Sequence, residues 1–92
     1  MLLSEGEILQ ALRALPGWEP VGAAIRKEFR LRGFREAVAF VGRVADLAEA
    51  ADHHPDITIK YRKVVLTLTT HSARGLTGKD FDLAAKIEQI PT

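Results

Sequence analysis

The segment from Phe34 to Ala48 limits what this chain can fold into more than any other. Phe34, Ala37, Val38, Val41, Val44, Ala45 and Ala48 recur every three or four residues, which makes one apolar helical stripe. Phe40 and Leu47 lie beside the stripe, seven residues apart, and widen it. So broad a face asks for more cover than one sheet provides, and any exposed remainder is a candidate subunit interface. The helix runs to about residue 52. There Asp52-His53-His54-Pro55 stops it, because the residue before a proline is biased away from helical geometry.

On both sides of this helix the period changes to two. Ile25, Lys27, Phe29 and Leu31 alternate with Ala24, Arg26, Glu28 and Arg30, as in a half-buried strand. Trp18 to Val21 supplies a preceding strand with Gly22 in the turn, and Pro20 makes that strand an edge strand or an irregular one. After the helix, Ile57, Ile59 and Tyr61 alternate with Thr58 and Lys60, which puts the Tyr61 ring on the apolar side. Val64, Leu66, Leu68 and Thr70 alternate with Lys63, Val65, Thr67 and Thr69, closing a second hairpin around Arg62-Lys63.

Two capping boxes bracket these elements. Ser4 and Glu7 open a helix over about residues 5 to 15, with Ile8, Leu12 and Leu15 on one face and Pro16-Gly17 as its stop. Thr77 and Asp80 open a last helix carrying Phe81, Ala84, Ile87 and Ile90, which ends near Pro91. The order α-β-β-α-β-β-α predicts one α+β domain over residues 1–92. Its four-stranded antiparallel sheet should carry the helices on one face.

Composition removes several classes of function. There are no cysteines, so disulfides and thiolate metal sites are excluded. A 92-residue chain buries a modest core, which leaves tight packing or a core shared between subunits as its means of stability. Thirteen basic and 12 acidic residues are interspersed for a net charge of +1, with no basic stripe for nucleic acid. No apolar run reaches membrane-spanning length, and the N-terminus turns acidic at Glu5 without the pattern of a signal peptide. The expectation is a soluble, cytoplasmic protein.

All three histidines flank the second hairpin: His53 and His54 enter its first strand, and His71 leaves its second. In an antiparallel pair the start of one strand lies beside the end of the next, so the three can converge. Imidazole gives and takes protons near neutrality, and converging imidazoles offer an acid and a base together. Asp52, Glu49 and Asp80 are carboxylates close enough in the chain to orient them, and Thr69, Thr70 and Ser72 add hydroxyls. Each residue also has a plainer reading. Asp80 stands at the capping position, Glu49 on a solvated helix face, and the threonines are ordinary strand residues. Three imidazoles could also hold zinc, although adjacent histidines in a strand face opposite sides. Acid/base use is the better reading.

The spacing of these residues resembles the pterin-4a-carbinolamine dehydratase family. Glu49, His53-His54-Pro55, Tyr61, His71 and Asp80 follow the family's order and intervals, and Gly17-Trp18, Thr70-His71, Gly75-Leu76 and Ile87-Glu88-Gln89 match its surroundings. The likeness covers nearly the whole chain. Where animal members carry an aromatic two residues after the proline, this chain has Ile57, and Ser72-Ala73-Arg74 follow His71.

The resemblance implies dehydration of 4a-hydroxytetrahydropterin (4a-hydroxytetrahydrobiopterin) to quinonoid dihydropterin, in the recycling of a pterin used by an aromatic amino acid hydroxylase. Such chemistry needs neither metal nor redox cofactor. Carried over to this chain, His53 and His71 form the proton-transfer pair and His54 binds the pterin or serves its other face. Asp52, Thr69, Thr70 and Ser72 line the site, while Glu49 and Asp80 hold the histidines. The resemblance also implies a homodimer or homotetramer. The alternative it carries is a helix-mediated dimerisation module acting as a transcriptional cofactor; a third reading is a related fold acting on another heterocycle.

Overall fold

The computed structural model describes residues 1–92. Its elements are α1 (Glu5–Leu12), β1 (Glu19–Val21), β2 (Ala24–Arg30), α2 (Phe34–Ala51), β3 (Asp56–Lys60), β4 (Lys63–Leu68) and α3 (Gly78–Glu88), with a single 3₁₀ turn at His71–Ala73. The order α-β-β-α-β-β-α and the four-stranded antiparallel sheet are as the sequence predicts. Both capping boxes form: Ser4 and Glu7 exchange side-chain-to-backbone hydrogen bonds at α1, and Thr77 and Asp80 do the same at α3. α1 stops at Leu12, three residues early, and the chain tightens into i→i−3 hydrogen bonds up to Leu15 before Pro16-Gly17.

The sheet order is β1-β2-β4-β3, so the two hairpins meet through their second strands. That central ladder runs from Ile25↔Leu68 to Arg30↔Lys63. Alternation then places Ile25 and Phe29 of β2 and Val64, Leu66 and Leu68 of β4 on the face under the helices, where all are buried. α2 lays Ala37, Phe40, Val44 and Ala48 on this face, and α3 adds Phe81, Leu83, Ala84 and Ile87. Phe40 therefore lies at the centre of the buried face rather than beside it, with its ring centroid 4.8 Å from that of Phe29. Phe34 and Val38, from the predicted stripe, are exposed.

Lys27 sits on the buried face between Ile25 and Phe29 and carries its ammonium out to the rim. There it donates to the Pro16 carbonyl at 3.0 Å and to Glu88 at 2.8 Å, and the Trp18 indole donates to the same carboxylate at 2.9 Å. This clamp ties the end of α3 to β2 and to the turn after α1.

Two expectations about the second hairpin need correction. Lys60 pairs with Lys63, so the turn is Tyr61-Arg62, one residue earlier than predicted. Tyr61 takes φ +55° in that turn and the residue is 70% exposed, not part of the core. β3 is the second edge strand, opposite β1, and Ile57 and Ile59, which pair with Leu66 and Val64, stay exposed there.

Candidate active site

α2 ends in a Schellman motif. The Asp52 amide donates to the Glu49 carbonyl at 3.2 Å and the His53 amide to the Ala48 carbonyl at 3.0 Å. Asp52 itself is left-handed, φ 48° and ψ 46°, a conformation aspartate tolerates better than most residues. This reversal turns the chain off the helix and delivers His53 and His54 side by side ahead of Pro55. Across the sheet, β4 runs out at Leu68, and a two-way backbone bridge between Thr70 and Gly75 closes a small loop that presents His71.

The strand pairing brings these pieces together. A cleft of about 250 Å³ is lined by Asp52, His53, His54, Thr69, Thr70, His71, Ser72 and Lys79. All seven residues read from the sequence as catalytic or lining are among them. The eighth, Lys79, was missed. The cleft is smaller than the pockets of drug-sized ligands, about 300 Å³ and up, and suits a small heterocycle.

Glu49 and Asp80 stand behind the cleft, each against one histidine. His53 Nε2 lies 2.6 Å from Asp80 Oδ1, with the histidine side chain 10% exposed and the aspartate 0%. The other oxygen, Oδ2, accepts from the Thr70 hydroxyl at 2.8 Å and from the Thr77 amide at 3.0 Å. Thr77 and Thr70 hydroxyls are 2.8 Å apart, so a chain of donors runs from Thr77 through Thr70 to the carboxylate. Asp80 thus caps α3 and also holds His53, and the two readings of this residue are compatible. A carboxylate accepts only, so His53 Nε2 donates and Nδ1 is left as the free nitrogen. No buried side-chain nitrogen or oxygen lacks a partner.

The second pair is looser. His54 Nε2 is 2.5 Å from Glu49 Oε2, with side chains 56% and 77% exposed. Solvent screening leaves such a pair worth little to stability. His71 has no carboxylate partner and is exposed at the rim. The three imidazoles therefore differ: one is braced by a buried acid, one by a surface acid, one is free. No three His, Asp or Glu side chains are arranged to hold a metal ion.

A cleft lined by three histidines at one end of an α+β hairpin sheet defines a class, and comparison with known proteins gives it a family. Residues 1–90 match the family model described as pterin 4 alpha carbinolamine dehydratase. A Roseiflexus castenholzii protein, provisionally named a pterin-4-alpha-carbinolamine dehydratase, is 60% identical over 89 residues, covering 97% of this chain and 96% of its own. A Thermomicrobium roseum protein of the same provisional name is 50% identical over 88 residues, covering 96% and 95%. The crystal structure of a transcriptional coactivator/pterin dehydratase from Brucella melitensis superposes with a TM-score of 0.92 at 40% identity, covering 96% of each chain. The chain belongs to the pterin-4a-carbinolamine dehydratase family. By name its relatives are dehydratases, which are hydro-lyases.

Proposed function

We propose that this protein dehydrates 4a-hydroxytetrahydropterin to quinonoid dihydropterin and water by histidine acid/base catalysis. The observation that carries the reading is His53, held by the buried Asp80 and lining one cleft with His54 and His71. In the reaction the carbon 4a–oxygen bond breaks, an acid protonates the departing oxygen to give water, and a base takes the proton of the adjacent ring nitrogen. His53 and His71 form the proton-transfer pair, with His54 on the substrate. Exchange of the proton between the pair and solvent restores both. Asp52, Thr69, Thr70 and Ser72 contact the pterin; Glu49 and Asp80 orient the imidazoles.

Positioned proton transfer contributes about 10²–10⁴-fold in rate, so His53→Ala and His71→Ala should each lower turnover by that order while staying folded. Loss of the carbinolamine absorbance follows the reaction. Wild-type rates in both variants would overturn the assignment. In the cell the substrate comes from an aromatic amino acid hydroxylase, and the protein works in the cytoplasm in pterin recycling. No helix is long and apolar enough to cross a membrane.

A second reading rests on the exposed apolar residues Phe34 and Val38 of α2, with Ile57 and Ile59 on β3. They make a surface for self-association as a homodimer or homotetramer. The same helix could serve a dimerisation module for transcription, and the Brucella protein is named as a transcriptional coactivator as well as a pterin dehydratase. An inactive wild type that still associates would favour that module over the enzyme.

A further inference from the structure

Lys79 has no charged partner in the fold. It is the second residue of α3, after Thr77 as N-cap and Gly78. The first turn of a helix carries partial positive charge and favours acidic side chains, so a lysine there opposes the dipole. No carboxylate lies within salt-bridge distance to offset it, since the ion pairs of the molecule all belong to other residues. Its side chain makes no hydrogen bond within the protein; its backbone amide donates to the Thr77 hydroxyl at 3.3 Å. Yet Lys79 is among the residues lining the histidine cleft, where it is the one lysine or arginine, and it also borders the neighbouring cleft beside Asp82.

A second charge faces the same cleft. Asp52 lines it from the end of α2, and its side chain makes no hydrogen bond or ion pair within the protein. The cleft thus holds one uncommitted anion and one uncommitted cation from different helices, among hydroxyls and imidazoles. A heterocycle with N–H donors along one edge and a carbonyl acceptor along another is the complement of that arrangement. A pyrimidinone ring fused to a reduced pyrazine has both edges, and its carbonyl neighbours the carbon that loses the hydroxyl.

We infer that Lys79 is a substrate-binding residue, donating to the carbonyl of the bicyclic ring while Asp52 accepts from its N–H edge. The inference rests on the pterin reading above and adds to it the residue that sets which edge of the ring enters. A lysine so used fixes the orientation in which carbon 4a meets the imidazoles. It binds the carbonyl before and after the hydroxyl leaves, so its effect falls on binding rather than on the chemical step.

The test compares wild type, K79A and K79R for binding of a stable 7,8-dihydropterin by fluorescence titration, and for KM and kcat on the carbinolamine. K79A should weaken binding and raise KM by about 10- to 100-fold, the range for losing a hydrogen bond to a charged group. K79R, which keeps the charge, should recover most of the loss. The melting temperature of K79A should equal or exceed that of wild type, because a cation misplaced on the helix dipole has gone. Unchanged binding and KM in K79A would overturn the inference, and so would a fall in kcat with binding intact. A wild type that turns over the carbinolamine beside an indistinguishable K79A removes the inference and keeps the dehydratase. A wild type that binds dihydropterin through Lys79 without turnover does the reverse.

Discussion

His53 and Asp80, 27 residues apart in the chain, meet at 2.6 Å, and the aspartate is fully buried. The same carboxylate takes the Thr70 hydroxyl and the Thr77 amide, so one residue joins the end of α2, the end of β4 and the start of α3. One carboxylate therefore serves both the packing of the fold and the bearing of His53. Asp80→Ala should cost about 3 kcal/mol in urea denaturation, because it strands several buried donors. Asp80→Asn should keep more of that stability, yet its amide nitrogen cannot accept, and a misaimed His53 should lower turnover about 10- to 100-fold. An Asp80→Asn enzyme with full activity would show that His53 needs no brace.

Acid stability has a local contributor in α1. Hydrogen bonds from Ser4, the backbone amide first and then the side chain, hold Glu7 below its ordinary carboxylate pKa of 4.5. A group whose pKa is depressed on folding adds stability above its unfolded pKa and loses it as pH falls through the folded one. Glu7→Ala should be less stable than wild type at pH 7, and the gap should close in the acid range below 4.5. Thermal melts across pH would check this; a gap that widened in acid would contradict it.

Gly17 sits at φ +89°, and a Cβ there would lie 2.8 Å from Lys27 Cε. Gly17→Ala combines a left-handed backbone with displacement of the lysine from Glu88. A loss of about 1–2 kcal/mol is expected. Equilibrium denaturation would measure it, and a neutral result would mean that neither the backbone conformation nor the displaced lysine carries a cost.

The exposed apolar surface of α2 and β3 predicts an oligomer that a charge should break. Val38→Glu should shift wild-type dimers or tetramers toward monomer in sedimentation velocity, with little change in the fold of the subunit. A wild type sedimenting as monomer at every concentration would leave Phe34, Val38, Ile57 and Ile59 without a role.

Much of this architecture was legible because short-range rules and tertiary packing agree. Serine and threonine three residues before an acid mark both helix starts, and strict alternation in β2 and β4 gives the buried face. That alternation also misled. Ile57, Ile59 and Tyr61 share a parity, but the strand ends at Lys60, so Tyr61 falls into the turn. Periodicity does not say where a hairpin reverses, nor which strand lies at the edge. The width of the α2 stripe concealed its rotation: only packing decides that Phe40 goes inward and Phe34 stays out. In the cleft, the histidines stand out by their scarcity, and Asp80 by its capping position. Lys79 carried a signal too, a cation in a first helical turn, but charge against a dipole is worth only about 0.3–1 kcal/mol and is common noise on surfaces.

The left-handed Asp52 has a consequence for how this protein can change. Because the amide of His53 is fastened to Ala48, the bearing of the imidazole follows the rotation of the helix. Adding or removing one residue between Ala37 and Ala48 would turn it by about 100°, away from Asp80 and out of the cleft. Side chains along α2 can be exchanged within the limits of its packing, but its length fixes where His53 lies.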